Sequence, residues 1–127
     1  MRILVVDDHP AFRRALTSAL RLVKDIEVAA EAGGGVEAAE RAVQGNPDLV
    51  LMDLSMPDLD GIEAMRRIHE TKPDLPVVIL TAHADSGVER EALEAGASGF
   101  LAKGTALEEL VVVLQEAAEP SRSARPA

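Results

Sequence analysis

Three solid apolar runs punctuate the chain at residues 3–6 (Ile-Leu-Val-Val), 49–52 (Leu-Val-Leu-Met) and 77–80 (Val-Val-Ile-Leu). Uninterrupted blocks of strand length are expected of central parallel strands whose two faces are both covered by helices. Residues 26–28 (Ile-Glu-Val) alternate instead, and residues 98–102 (Ser-Gly-Phe-Leu-Ala) are built largely of small side chains. Both read as less completely buried strands at the edges of a sheet.

The stretches between these runs carry helical spacing. Phe12, Leu16, Leu20 and Val23 fall on one face, and His9-Pro10 marks the helix start. Residues 35–44 are rich in Ala and Glu and stop before Gly45-Asn46-Pro47. Ile62, Met65 and Ile68 form an amphipathic stretch closed by Lys72-Pro73. Residues 85–95 are the weakest helix, with Gly87 near its start and Gly96 as its expected cap. Thr105, followed three residues later by Glu108, predicts a capping box for the last helix. Five strands alternating with five helices imply an α/β fold with a doubly wound, five-stranded parallel sheet and helices on both faces. An alternating second strand at the edge suits the flavodoxin-like order 2-1-3-4-5.

Composition narrows the classes. A length of 127 residues allows one compact domain, expected over residues 1–119, with 120–127 as a disordered tail or the start of a linker. The absence of cysteine excludes disulfides and thiolate metal sites. No apolar run approaches the ~20 residues of a membrane span, so a cytoplasmic protein with no membrane contact is expected. Net charge is −9, and because the last eight residues hold two arginines and no acid, residues 1–119 stand at −11. Nucleic-acid affinity rests mainly on cationic contacts, so this chain is not expected to bind DNA by itself.

In an open parallel sheet, ligands bind beyond the carboxyl ends of the strands. There the first run ends in Asp7-Asp8, the third in Asp53 and the fourth in Thr81, and the fifth leads into Lys103. Taken singly, each is bland: an Asp-Asp after a strand is usually a turn or cap, and a lone Lys is usually solvated. Placed jointly they are specific. Three converging carboxylates repel one another unless a cation neutralises them. An all-oxygen set selects a hard cation, Mg²⁺ being the natural choice. An aspartate can act as a nucleophile toward phosphorus, a lysine can hold phosphoryl oxygens as a point charge, and a threonine can donate to them.

Other features carry less. Gly33-Gly34-Gly35 lacks the Gly-Lys-Ser/Thr ending of a phosphate loop and reads as a flexible turn. His9, His69 and His83 show no metal-ligand spacing; His9 is assigned to the helix start, His69 to a helix surface, and His83 to the pocket mouth, where it could tune water access. Without Trp or Tyr there is no sugar-stacking surface and no flavin-stacking aromatic beyond two Phe. A phosphotransferase with an aspartyl-phosphate intermediate would want a second acid two residues after its nucleophile, where Ser55 stands.

Val5-Val6-Asp7-Asp8-His9-Pro10, the segment from Asp53 to Gly61 (Asp-Leu-Ser-Met-Pro-Asp-Leu-Asp-Gly), Leu80-Thr81-Ala82 and the segment from Gly96 to Lys103 together resemble the receiver domains of two-component response regulators. Asp-Asp-His-Pro, with Lys103-Gly104-Thr105, resembles the NarL/FixJ (LuxR-type) branch, whose members normally carry a C-terminal helix-turn-helix DNA-binding domain. The resemblance implies Asp53 as phosphoacceptor, with a histidine kinase as phosphodonor. It implies Mg²⁺ held by Asp7, Asp8, Asp53 and the Ser55 backbone carbonyl, phosphoryl contacts from Thr81 and Lys103, and Phe100 at the aromatic switch position. Such a protein supports only its own phosphotransfer and autodephosphorylation rather than turning over a substrate. Two departures bear on the switch: Gly104 replaces the Pro common after the active-site Lys, and Phe100 lacks the hydroxyl of the commoner Tyr. On the last helix, Leu107, Leu110, Val111, Leu114 and Ala118 make the expected buried stripe. Val112 then points away and Val113 sits on a flank, a candidate dimerisation or docking patch. The alternative is a stand-alone or phosphorylation-independent docking module that keeps the pocket.

Overall fold

Each apolar block becomes a strand in the computed structural model, which describes residues 1–119. The order is β1 (Arg2–Val6), α1 (Pro10–Arg21), β2 (Glu27–Ala32), α2 (Gly35–Gln44), β3 (Leu49–Met52), α3 (Gly61–Thr71), β4 (Val77–Thr81), α4 (Ser86–Glu94), β5 (Gly99–Ala102) and α5 (Leu107–Ala117). All pairings are parallel and the sheet order is β2-β1-β3-β4-β5, the expected flavodoxin-like arrangement. The tail at 120–127 lies outside the described residues.

Alternation along the central strands builds two cores. Leu4, Val6, Val50, Met52, Val77 and Ile79 face Ala38 and Ala42 of α2, Ala64, Met65 and Ile68 of α3 and Ala92 of α4. Ile3, Val5, Leu49, Leu51, Val78 and Leu80 face Leu20 of α1 and Leu110 and Leu114 of α5. Because both faces are dry, no polar alternation is needed, which is why these strands read as solid blocks. Burying each such large apolar side chain contributes about 1.5–3 kcal/mol, so the sheet is the rigid part of the molecule.

Three local features differ from the sequence expectation. β2 extends to Ala32, well past residue 28, and its register with β1 shifts between Ile3 and Leu4, so that Ala29 is passed over. Ala-Ala-Glu-Ala has little strand propensity of its own; pairing with β1 supplies what the side chains lack. α5 starts at Leu107 with Ala106 as its N-cap and no side-chain cap bond. Thr105 is instead part of a turn, its amide donating to the Ala102 carbonyl at 3.0 Å. The first-turn acids Glu108 and Glu109 complement the helix dipole in place of the expected capping box. On α5, Val112 is 51% exposed as expected. Val113 instead packs half-buried on the core, and its Cγ1 sits so close to Gly99 that a Cβ there would lie 3.1 Å away. Ala117 is buried beside it.

Gly96 ends α4 as expected. It adopts φ +118°, its amide bonds to Leu93 at 3.1 Å, and the Ala97 amide reaches back to Ala92 at 3.0 Å. Those paired bonds form a Schellman closure, a left-handed stop that glycine makes without strain.

Candidate functional site

The ladder of the sheet continues one residue past three strands and thereby sets the site. Asp7 donates its amide to Ala32 at 3.0 Å, Asp53 to Val6 at 2.9 Å and Lys103 to Thr81 at 2.9 Å. Three chemically active residues are thus fixed by backbone bonds at the carboxyl rim. Asp7, Asp53 and Thr81 are buried, at 2%, 3% and 1% exposure. Carboxylates so enclosed need a partner.

Lys103 is that partner. Its Nζ lies 2.8 Å from Asp7 Oδ2 and 3.3 Å from Asp53 Oδ2. Burial, followed by the Asp7 charge, pushes the Asp53 carboxyl above the usual range, and Lys103 offsets only part of that rise. Burial pulls the Lys103 ammonium down, but its bond to Asp7 and the charges of Asp53 and Asp7 outweigh this and leave it raised. The ammonium also stands 4.5 Å above the Phe12 ring centroid, a cation–π contact with α1.

Asp8 is half-buried, and its Oδ1 is buried with no hydrogen-bond partner. One carboxylate oxygen each from Asp7, Asp8 and Asp53, with an imidazole nitrogen of His9, all lie within 4.8 Å of one another. A buried carboxylate oxygen that accepts no hydrogen bond, set among other carboxylates, fits a hard divalent cation, which would satisfy it. Ser55 is exposed, its amide donating to Asp53 Oδ1 at 3.4 Å. Together with Asp8, His9, Met56, Asp60 and Arg66 it lines a cleft of about 720 Å³ opening from the carboxylates toward α3 and α4.

Asp7, Asp53 and Lys103 are therefore in contact, with Asp8 beside them. Thr81 ends β4 on the same rim, and its Oγ1 accepts from the His83 amide at 3.2 Å. Phe100 is half-buried against the core on the α2–α4 side, paired with Ile79 across β4 and β5. The Lys103–Gly104 peptide is trans.

His9 does more than start a helix. It is the N-cap of α1, yet its Nδ1 also lies 3.1 Å from Asp7 Oδ1, 3.2 Å from Asp8 Oδ1 and 3.8 Å from Asp53 Oδ2. The signal was its adjacency to the acid pair, which ligand-spacing rules do not capture. Arg13 was missed as well: its guanidinium donates to the Asp7 carbonyl and its Nε to Glu31 at 3.1 Å.

Gly61 positions the Asp53 side of the site. A Cβ there would stand 2.5 Å from the Asp53 carbonyl oxygen and 2.9 Å from Leu54 Cα, both backbone atoms. Gly61→Ala must displace the chain on which Asp53 rides, at a cost of about 3 kcal/mol, as for other overpacked sites. Urea unfolding measures this; a loss below about 1 kcal/mol would show that the segment yields freely.

The sequence model of the response regulator receiver domain matches residues 3–115. An uncharacterized transcriptional regulatory protein of Bacillus subtilis, YhcZ, is 42% identical over 115 residues, covering 91% of this chain and 54% of that protein. The signal receiver domain of the putative response regulator NarL from Mycobacterium tuberculosis superposes with a TM-score of 0.86 at 33% identity, covering 93% of this chain and 95% of that one. A LuxR-family two-component response regulator from Aurantimonas sp. SI85-9A1 gives a TM-score of 0.88 at 36% identity, covering 92% and 84%. The chain spans about half the length of the curated relatives it matches.

Proposed function

The chain belongs to the response regulator receiver domain family, in its NarL/FixJ (LuxR-type) branch, and from that premise we propose that it is switched by Mg²⁺-dependent phosphorylation of Asp53. The observation that carries this reading is the buried Asp7–Lys103–Asp53 contact beside a buried Asp8 oxygen that accepts no hydrogen bond. Asp7, Asp8, Asp53 and the Ser55 carbonyl would hold the ion. Bound there, Mg²⁺ neutralises the carboxylates and the charge on the transferred phosphoryl group.

An Asp53 carboxylate oxygen attacks the phosphorus of a phosphohistidine on a partner kinase. The P–N bond breaks, the imidazole leaves, and Asp53 carries an acyl phosphate. Lys103 holds a phosphoryl oxygen with its ammonium. The output belongs to a larger protein, as transcriptional control does in the relative from B. subtilis.

No helix of the described residues is long and apolar enough to cross a membrane. Incubation of the full chain with Mg²⁺ and a small-molecule phosphodonor, followed by intact mass measurement, tests the reading. A wild type that gains no phosphoryl mass overturns it.

Thr81 couples the modification to the fold. Its hydroxyl would turn from the His83 amide toward the phosphoryl oxygens, vacating space for Phe100 on the same sheet face. A charge-assisted hydrogen bond of about 2 kcal/mol shifts a two-state population roughly 30-fold. Thr81→Ala should keep phosphorylation and lose the switch. With fluorinated phenylalanine the chain gives two signals, from Phe12 and Phe100. A Phe100 shift that survives in Thr81→Ala would refute the coupling.

A further inference from the structure

The triple glycine after β2 is a close-packed seam rather than a flexible turn. Asp58, in the segment between β3 and α3, accepts from the Gly35 amide at 3.0 Å and the Val36 amide at 3.1 Å. It thus caps α2 from 22 residues away, a task the N-cap Gly34 has no side chain to perform. A Cβ on Gly34 would lie 2.9 Å from Asp58 Oδ1, and one on Gly35 would lie 2.8 Å from Leu59 Cβ. Only glycines let the two segments meet this closely. The Gly35 amide, and then that of Val36, hold the Asp58 carboxyl below the usual carboxylate range, as expected for a carboxylate bonded at a helix start.

The far end of the same segment is pinned too. Gly61 donates to the Leu54 carbonyl at 2.7 Å, and Asp60 caps α3 by accepting from Glu63 at 2.9 Å. Ser55 lies between these anchors. We propose that Asp58 is a positioning residue for the metal site: by latching its segment to the start of α2 across the Gly34–Gly35 seam, it fixes where the Ser55 carbonyl is presented. The proposal rests on reading Asp7, Asp8, Asp53 and Ser55 as a Mg²⁺ site, and it assigns the latch to residues outside that set.

Two variants break the latch in different ways. Asp58→Ala removes the carboxylate. Gly34→Ala keeps its charge but pushes it off the amides, and Gly34 sits at φ −166°, extended backbone that alanine adopts without strain. Calorimetric Mg²⁺ titration of the full chain should show each variant binding about 10-fold more weakly, as for other residues that orient a metal ligand. The double variant should be no weaker than either single one, because the latch breaks only once. In metal-free protein, amide exchange across residues 54–60 should quicken in both.

Wild-type affinity in both variants, with the wild type binding, overturns the latch while leaving the site intact. Weak binding in Asp58→Ala alone overturns it also, since that would be an effect of charge. If Asp58→Ala does not fold, Gly34→Ala decides by itself. A wild type that binds no Mg²⁺ overturns the site reading and the proposal together, and the titration separates that failure from the others.

Discussion

Asp53→Asn is expected to take up no phosphoryl group and yet to melt at a higher temperature than the wild type in metal-free buffer at neutral pH. The amide has nearly the shape of the carboxylate but cannot attack phosphorus, so labelling should fall below detection. The stability gain follows from where Asp53 sits. Burial, then Asp7, raises its folded pKa above the unfolded value. Its contribution to stability is therefore fully present below the unfolded pKa and is lost as pH rises through the folded one. Asparagine never ionises, so the difference between the two proteins should open with rising pH and close in acid. Added Mg²⁺ should narrow it, because only the wild type presents the complete carboxylate set. Melting curves with and without Mg²⁺ across this pH range check the sign. Undiminished labelling of the variant would place the phosphoacceptor elsewhere.

Lys103→Met should give a large, charge-dependent loss of stability. It strips the ammonium from Asp7 and Asp53, both nearly fully buried. Removing one member of a buried pair costs about 3–5 kcal/mol when the other charge is left uncompensated. Burial and the Asp7 charge already raise the Asp53 pKa, so the cost should depend on pH. The deficit should be small in acid, where a proton replaces the lysine. It should grow as pH rises through the Asp53 pKa and shrink again with Mg²⁺. Lys103 itself is raised, so the stability it supplies is present below its unfolded pKa and is lost only in strong alkali. Urea titrations at several pH values would test this. A deficit independent of both pH and Mg²⁺ would mean that Lys103 acts by packing on Phe12 rather than by charge.

Both predictions rest on residues that the sequence places correctly, and the reason is physical. Asp7, Asp53, Thr81 and Lys103 lie at or just past strand ends, and strands 3–6, 49–52 and 77–80 are legible because burial on both faces leaves no polar position in them. Chain direction then brings their ends to one rim. The features that sequence did not yield depend on contacts between distant segments. Asp58 looks like an ordinary turn residue until α2 is seen 22 positions upstream, and three glycines look loose until the carboxylate that fills the seam is known. Pro10 explains the place of His9 at the helix start but not its ring among three carboxylates. Thr105 failed for a simpler reason: its pattern matched a capping box while its backbone was already committed to a turn with Ala102.

The slip in register that passes over Ala29 also governs how β2 should be aligned with relatives. Ahead of it, Val28 joins Ile3 on the α1–α5 side; beyond it, Ala30 and Ala32 join Leu4 and Val6 on the opposite side, and Glu31 turns to Arg13. The side of the sheet to which a given parity points inverts midway along this strand. An alignment that runs gap-free through residues 27–32 against a strand lacking the extra residue would exchange the two faces of the sheet over half the strand. A one-residue gap at Ala29 is the placement that compares like with like.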